Sequence, residues 1–323
     1  MTTYDRYQQE EKCYYQAFKN IETQFTKTYI HPVQNFAGVH SPAEDATTMQ
    51  KHVECFDCHN PHWANSSNPP LGAPEVSGRN QGVTGIDSSG QLLTEASNLY
   101  EICYKCHGDN NVKTVAPVNR EYPEINVRLE FDPSNPSYHP VEAPGANPDV
   151  PSLTGGLTEN SIIYCTDCHN NNELTGPRGP HGSTNHFILE RRYDHIDNRR
   201  IESQFYAMCF KCHSESNLLG DNSFEHDKHL NSADAACFVC HDPHGVSNTQ
   251  GNATNNAHLI NLNRDIVSGN SFPDPVYVNL GTPSQHRGAC NLNCHGETHG
   301  GPDDGRDDIN INGTIFRQYN CPC

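Results

Sequence analysis

Six short cysteine groups recur along this chain, and no other feature constrains its folding as strongly. Five read Cys-x-x-Cys-His: Cys55, Cys58 and His59; Cys103, Cys106 and His107; Cys165, Cys168 and His169; Cys209, Cys212 and His213; Cys237, Cys240 and His241. The sixth has one extra residue between its cysteines, Cys290, Cys294 and His295. Together they use twelve of the fifteen cysteines. Cys-x-x-Cys-His is the attachment signature of a c-type haem. Two thiols form thioethers to the two vinyl groups of one porphyrin, and the next residue, His, is set beneath the iron as an axial ligand. A zinc half-site or a redox dithiol also uses Cys-x-x-Cys, but neither needs His directly after the second Cys. The sequence therefore predicts six covalent haems, each with a proximal His, and the extra residue of the sixth group absorbed as a bulge.

Composition explains why such cofactors would be needed. Only 34% of the 323 residues are hydrophobic, against 24 Gly and 22 Pro. Chains this polar seldom bury enough apolar surface to fold. Six buried porphyrins would supply the missing core. The expected fold is mostly irregular coil with short helices and few short strands, stapled around a row of six haems. Helices are expected over residues 4–20, 95–107 and 203–213, where a cysteine group closes a turn, and strands over 162–164 and 276–280. Segments 65–90 and 133–156 read as loops. The chain is expected to form one unit over 1–323: a degenerate one-haem repeat (1–90), a two-haem repeat (91–195) and a three-haem part (196–323). The segment after residue 296 reads as a tail or a packing arm.

Fourteen histidines remain beyond the six proximal ones, against three methionines. Axial ligation by two histidines at every iron is thus expected, and internal repeats nominate the second set. One stretch runs from the Cys103 group through His139 to the Cys165 group and Pro180-His181. A second runs from the Cys209 group through His226 and His229 to the Cys237 group and Pro243-His244. A degenerate copy runs from Cys13 through His31 to the Cys55 group and Pro61-His62. The distal ligands read from these repeats are His31, His62, His139, His181, His229 and His244. His52, His226, His258, His299 and His40 form a reserve, while His186, His195 and His286 read as structural or surface residues. Cys13, Cys321 and Cys323 are left over; a disulfide from Cys13 to Cys321 or Cys323 is one outcome, and a free or intersubunit thiol another.

Other classes fall away. Thirty-nine acids against 21 Lys plus Arg give a net charge of −18, which disfavours nucleic acid and anionic membranes. No run of 18 apolar residues marks a membrane span. Covalent haem attachment takes place outside the cytoplasmic membrane, so the polar start of the sequence reads as following a removed leader, with the protein at the cell surface or outside the cell, or else in the periplasm.

The elements HVECFDCHNPH, EICYKCHGDN, YCTDCHNNN, CFVCHDPHG and CNLNCHGETH resemble the doubled-CXXCH family of multihaem c-type cytochromes over most of residues 13 to 299. The chain is also similar to outer-surface cytochromes of metal-reducing bacteria, including the OmcS and OmcE type that polymerises into extracellular filaments. The resemblance implies bis-His haems in a continuous row, head-to-tail self-assembly, and a His of one subunit ligating a haem of the next. His31 or His40, left without a clear haem in its own chain, is the candidate for that role. The function expected is long-range electron transfer between redox partner proteins and external acceptors, without a substrate site. A discrete surface or periplasmic electron carrier is the alternative. A multihaem oxidoreductase would need an iron with an open face, which the histidine surplus disfavours.

Overall fold

A two-residue gap between cysteines suits one helical turn. The computed structural model describes residues 20–33, 53–65, 72–109, 116–173, 175–200, 202–220, 225–281, 287–300 and 308–320. In it Cys55–Cys58, Cys165–Cys168 and Cys237–Cys240 each form a single α-helical turn. In these groups the N–H of the closing His donates to the carbonyl of the first Cys, at 2.9 Å. Two of the turns carry their own cap. The Asp57 carboxylate accepts from the Glu54 N–H, and the Asp167 carboxylate from the Tyr164 N–H, each at 2.8 Å. A third group ends a longer helix, Leu99–His107. This helix begins four residues later than the pattern predicts, because Glu101 accepts from the Asn98 N–H and caps it there.

Two expectations are corrected. Residues 203–213 do not form one helix. They break into 3₁₀ turns at Ser203–Tyr206 and Cys209–Lys211, where the Met208 N–H is drawn to the Arg192 carbonyl at 3.0 Å. Residues 162–164 are not a strand: Tyr164 serves as the N-cap of the next turn, and Ile163 makes a lone bond to the Pro140 carbonyl. The helix expected over 4–20 lies outside the described residues, as do Cys13, His40, His52, His286, Cys321 and Cys323.

Twelve strands occur among the described residues, most of two residues: β1 (Tyr29–Ile30), β2 (Gly85–Ile86), β3 (Leu92–Leu93), β4 (Ser137–Tyr138), β5 (Gly182–Ser183), β6 (Gly245–Val246), β7 (Val267–Ser268), β8 (Val276–Asn279), β9 (Arg287–Cys294), β10 (Glu297–His299), β11 (Asp308–Ile311) and β12 (Thr314–Asn320). Two of the small ladders join distant segments in the same way. β1 pairs with β5, which brings His31 and His181 alongside; β4 pairs with β6, which does the same for His139 and His244. The glycine after each Pro-His makes this possible. A Cβ on Gly182 would collide with the Gln24 carbonyl, and one on Gly245 with the Glu130 carbonyl.

Of the two readings of the segment after residue 296, a tail or a packing arm, its described residues follow the second. β10 turns back on β9, and β12 pairs with both β9 and β11 in an antiparallel sheet that β7 and β8 complete. Side-chain cores are small and gather round the cysteines. The largest buries Phe205, Tyr206, Phe238, Val239 and Leu292 against Cys209, Cys237, Cys240, Cys290 and Cys294. A second packs Tyr100, Tyr104, Val127 and Phe131 against Cys165.

Candidate functional site: paired histidines along a cysteine-lined cavity

A cavity of about 1250 Å³ runs through the molecule, lined by Cys58 and by both cysteines of every later group. None of the twelve group cysteines is disulfide-bonded to another. Burial pushes the Cys58, Cys168 and Cys240 thiols up to about 12. The groups neighbour one another in chain order. Cys58 lies within electrostatic reach of Cys103 and Cys106, Cys168 of Cys209 and Cys212, and Cys240 of Cys294. The Cys103 thiol lies beside that of Cys165, and Cys209 beside Cys237.

Two lysines inside the groups lock these neighbours together. Lys105 Nζ donates to the Asp57 carbonyl at 2.6 Å, and Lys211 Nζ to the Asp167 carbonyl at 2.5 Å. The first and second groups, and the third and fourth, are thereby joined as pairs.

Five group histidines each face a second imidazole. Ring centres are 6.1 Å apart for His59 and His181, 6.4 Å for His107 and His31, 6.2 Å for His169 and His244, 6.4 Å for His213 and His139, and 6.2 Å for His241 and His226. Two imidazoles on opposite sides of one metal, each with its nitrogen about 2 Å away, have ring centres roughly 6 Å apart. Most of the rings are anchored at their opposite edges. His59, His169 and His241 donate Nδ1–H to the carbonyls of Arg79, Phe187 and His258, at 3.1, 2.8 and 2.9 Å. His139 donates to the Pro243 carbonyl, His213 is bonded to Ser152 Oγ at 2.9 Å, and His244 to the Glu130 carboxylate at 3.0 Å. An Nδ1 held this way fixes the tautomer and leaves Nε2 as the donor to a metal. Burial pulls His181, His213 and His241 down to about 4, which keeps these rings neutral, the form that binds metal.

The elements explain the aim. The β1–β5 ladder delivers His31 and His181 to the second and first groups; the β4–β6 ladder delivers His139 and His244 to the fourth and third. His226, held in reserve by the sequence reading, faces the fifth. His229 stands 6.3 Å from His299, another reserve residue.

Other sequence candidates are placed differently. His62 is exposed on the surface and not opposite a group histidine of its own chain. His258 contributes its backbone carbonyl to His241. His295 turns to Asp197 and Ala233. His186 and His195 are 6.5 Å apart, with His186 flat against Phe187 and His195 against Phe238. No cysteine group belongs to that pair, so ring separation alone does not define a site.

Among the described residues no cluster of three or more His, Cys, Asp or Glu side chains forms a metal site. Pairs are the form expected where a porphyrin supplies the other four donors. Among the described residues no helix is long and apolar enough to cross a membrane. No family model, curated protein or solved structure matches the chain.

Proposed function

We propose that this chain is a multihaem electron-transfer protein, with covalent haem c at each of its six cysteine groups and no substrate site. The observation that carries the reading is the set of five histidine pairs at 6.1–6.4 Å, each completed by the histidine of a Cys-x-x-Cys-His turn. Bound there, haem supplies an iron that gains and loses one electron. The residues do the rest. Cys55 and Cys58 would hold the first haem, together with His59 and His181. Cys103 and Cys106 act with His107 and His31, and Cys165 and Cys168 with His169 and His244. Cys209 and Cys212 act with His213 and His139, and Cys237 and Cys240 with His241 and His226. Buried phenylalanine, tyrosine and aliphatic side chains pack against Cys165, Cys209, Cys237, Cys240, Cys290 and Cys294.

The neighbouring thiols support a row in chain order, tied into pairs by Lys105 and Lys211. Two histidines at each of five irons would leave no open face there, which favours conduction over substrate chemistry. In the sharper form of the proposal, subunits join head to tail into an extracellular filament that passes electrons to external acceptors. Exposed Phe56 (66%) and Trp63 (64%) beside the first group support a contact there. Cysteine-to-porphyrin ligation places assembly of the holoprotein outside the cytoplasmic membrane.

Intact mass and spectra of the purified protein test the haem reading: six covalent haems, all low-spin in the oxidised state, are expected. Bound zinc with no haem would overturn it. Electron microscopy under native conditions tests the filament; dispersed particles alone would leave a discrete carrier.

A further inference from the structure

The sixth cysteine group differs from the others in secondary structure, and the difference redirects its histidine. Cys290 and Cys294 lie on β9, not on a helical turn. Alternate residues of a strand share a face, so a four-residue step keeps both thiols together with Leu292 between them. Leu292 is buried with both cysteines packed in the same cluster. The residue after Cys294 leaves that face. His295 sits in the hairpin turn at φ 52°, followed by Gly296 at φ 79°. Both its ring nitrogens are taken: Nδ1 by the Ala233 carbonyl at 2.6 Å, and Nε2 by the Asp197 carboxylate at 2.6 Å.

The return strand brings a replacement. In the β9–β10 register His299 stands opposite Leu292, and directly opposed residues share a sheet face. His299 therefore arrives on the thiol side. There it meets His229, with ring centres 6.3 Å apart and ring planes within 20°. His229 lies on the π-helical turn Lys228–Ser232 and donates Nδ1–H to the Glu225 carbonyl at 3.0 Å. That is the carbonyl anchoring seen in four of the other five pairs. His229, His299, Cys290 and Cys294 line the main cavity, whereas His295 does not.

We infer that the haem attached at Cys290 and Cys294 takes His229 and His299 as its axial pair, and that His295 is a structural residue held by Asp197 and Ala233. This assignment rests on the haem reading above. It also gives the fifth and sixth groups a shared source of ligands, since His226 and His229 lie three residues apart.

The purified holoprotein and two variants test it, by intact mass for haem number and by electron paramagnetic resonance for spin state. His299→Ala is expected to keep six haems and turn one of them high-spin. His295→Asn is expected to leave every attached haem low-spin. A His299→Ala protein with no high-spin haem overturns the assignment, as does a high-spin haem in His295→Asn. Because His295 adjoins a thioether position, its replacement can lower attachment. A density map of the unaltered protein decides that case: density from the sixth iron to His229 and His299 supports the pair, and density to His295 overturns it. Wild-type protein without covalent haem would instead sink the parent reading before any variant is made.

Discussion

His244 holds its Nδ1 3.0 Å from the carboxylate of Glu130, which is buried at 5% exposure. The other anchored rings lean on carbonyls or, for His213, on a hydroxyl. A carboxylate partner makes an imidazole a stronger donor and favours the oxidised metal. The haem held by Cys165 and Cys168 is thus expected to have a lower potential than its bonding to histidine alone would give. Glu130→Gln keeps a hydrogen-bonding group and removes the charge. A change of about 1 kcal/mol, on the order of 40 mV for one electron, should raise one of six components in a spectroelectrochemical titration. A superimposable titration would count against His244 as a ligand.

The two bridging lysines predict an order of stability. Lys105 donates to the Asp57 carbonyl, and Lys211 to the Asp167 carbonyl. Lys211 also lies 3.3 Å from Glu190, a carboxylate only 7% exposed. Lys105→Met removes its hydrogen bond to Asp57 and a longer, exposed one to Thr84 Oγ1 at 3.4 Å, together about 1–2 kcal/mol. Lys211→Met removes one as well and weakens the compensation of a buried charge, so its cost should be larger. Chemical denaturation followed by circular dichroism measures both, and equal midpoints would contradict the role given to Glu190.

What was legible in the sequence follows from how local each signal is. The spacing of Cys165 and Cys168 encodes its helical turn because the turn closes within five residues, and Asp167 caps it from inside the group. The Cys290 group carries the same letters with one more residue, and its strand conformation is decided by β8, β10 and β12, which no local pattern announces. The same holds for ligand choice. Repeat order nominated His181 and His244, but their targets depend on the β1–β5 and β4–β6 ladders, which join residues more than a hundred positions apart. His62 matches the Pro-His pattern of those two residues, yet it lies exposed. It lacks the following glycine that Gly182 and Gly245 provide, and Trp63 stands in its place. That difference was visible in the sequence and is the signal that could have demoted it. His226 and His299 carried no comparable mark.

Glu142 gives a pH dependence. Burial is the main reason its carboxyl is pushed up from its ordinary value of 4.5 to about 7, while the Tyr104 hydroxyl, donating at 2.7 Å, opposes the shift. The folded chain then holds a proton that the unfolded chain releases between about 4.5 and 7. Stability from this group is full below that window, falls as pH rises through it, and is flat above. Glu142→Gln should flatten that part of the profile. Glu121, raised to about 7 chiefly by burial, contributes with the same sign and survives in the variant. Denaturation midpoints of both proteins from pH 4 to 8 check this. Parallel curves would mean that Glu142 titrates normally.

His31 and His62 separate ligation within one chain from ligation between subunits. The resemblance to filament-forming cytochromes nominates His31 or His40 as a residue that serves a neighbour, but the His31 ring stands 6.4 Å from that of His107 in the same chain. Burial lowers its pKa, and it is bonded to the Pro180 backbone. His31→Ala should therefore turn one haem high-spin in dispersed and assembled protein alike. His62 is exposed next to Trp63 and faces no group histidine of its own chain. His62→Ala should leave the spin state of dispersed protein unchanged, as measured by electron paramagnetic resonance. If His31→Ala alters only assembled protein, the His31–His107 pair is not an axial pair, and the ligand must cross between subunits.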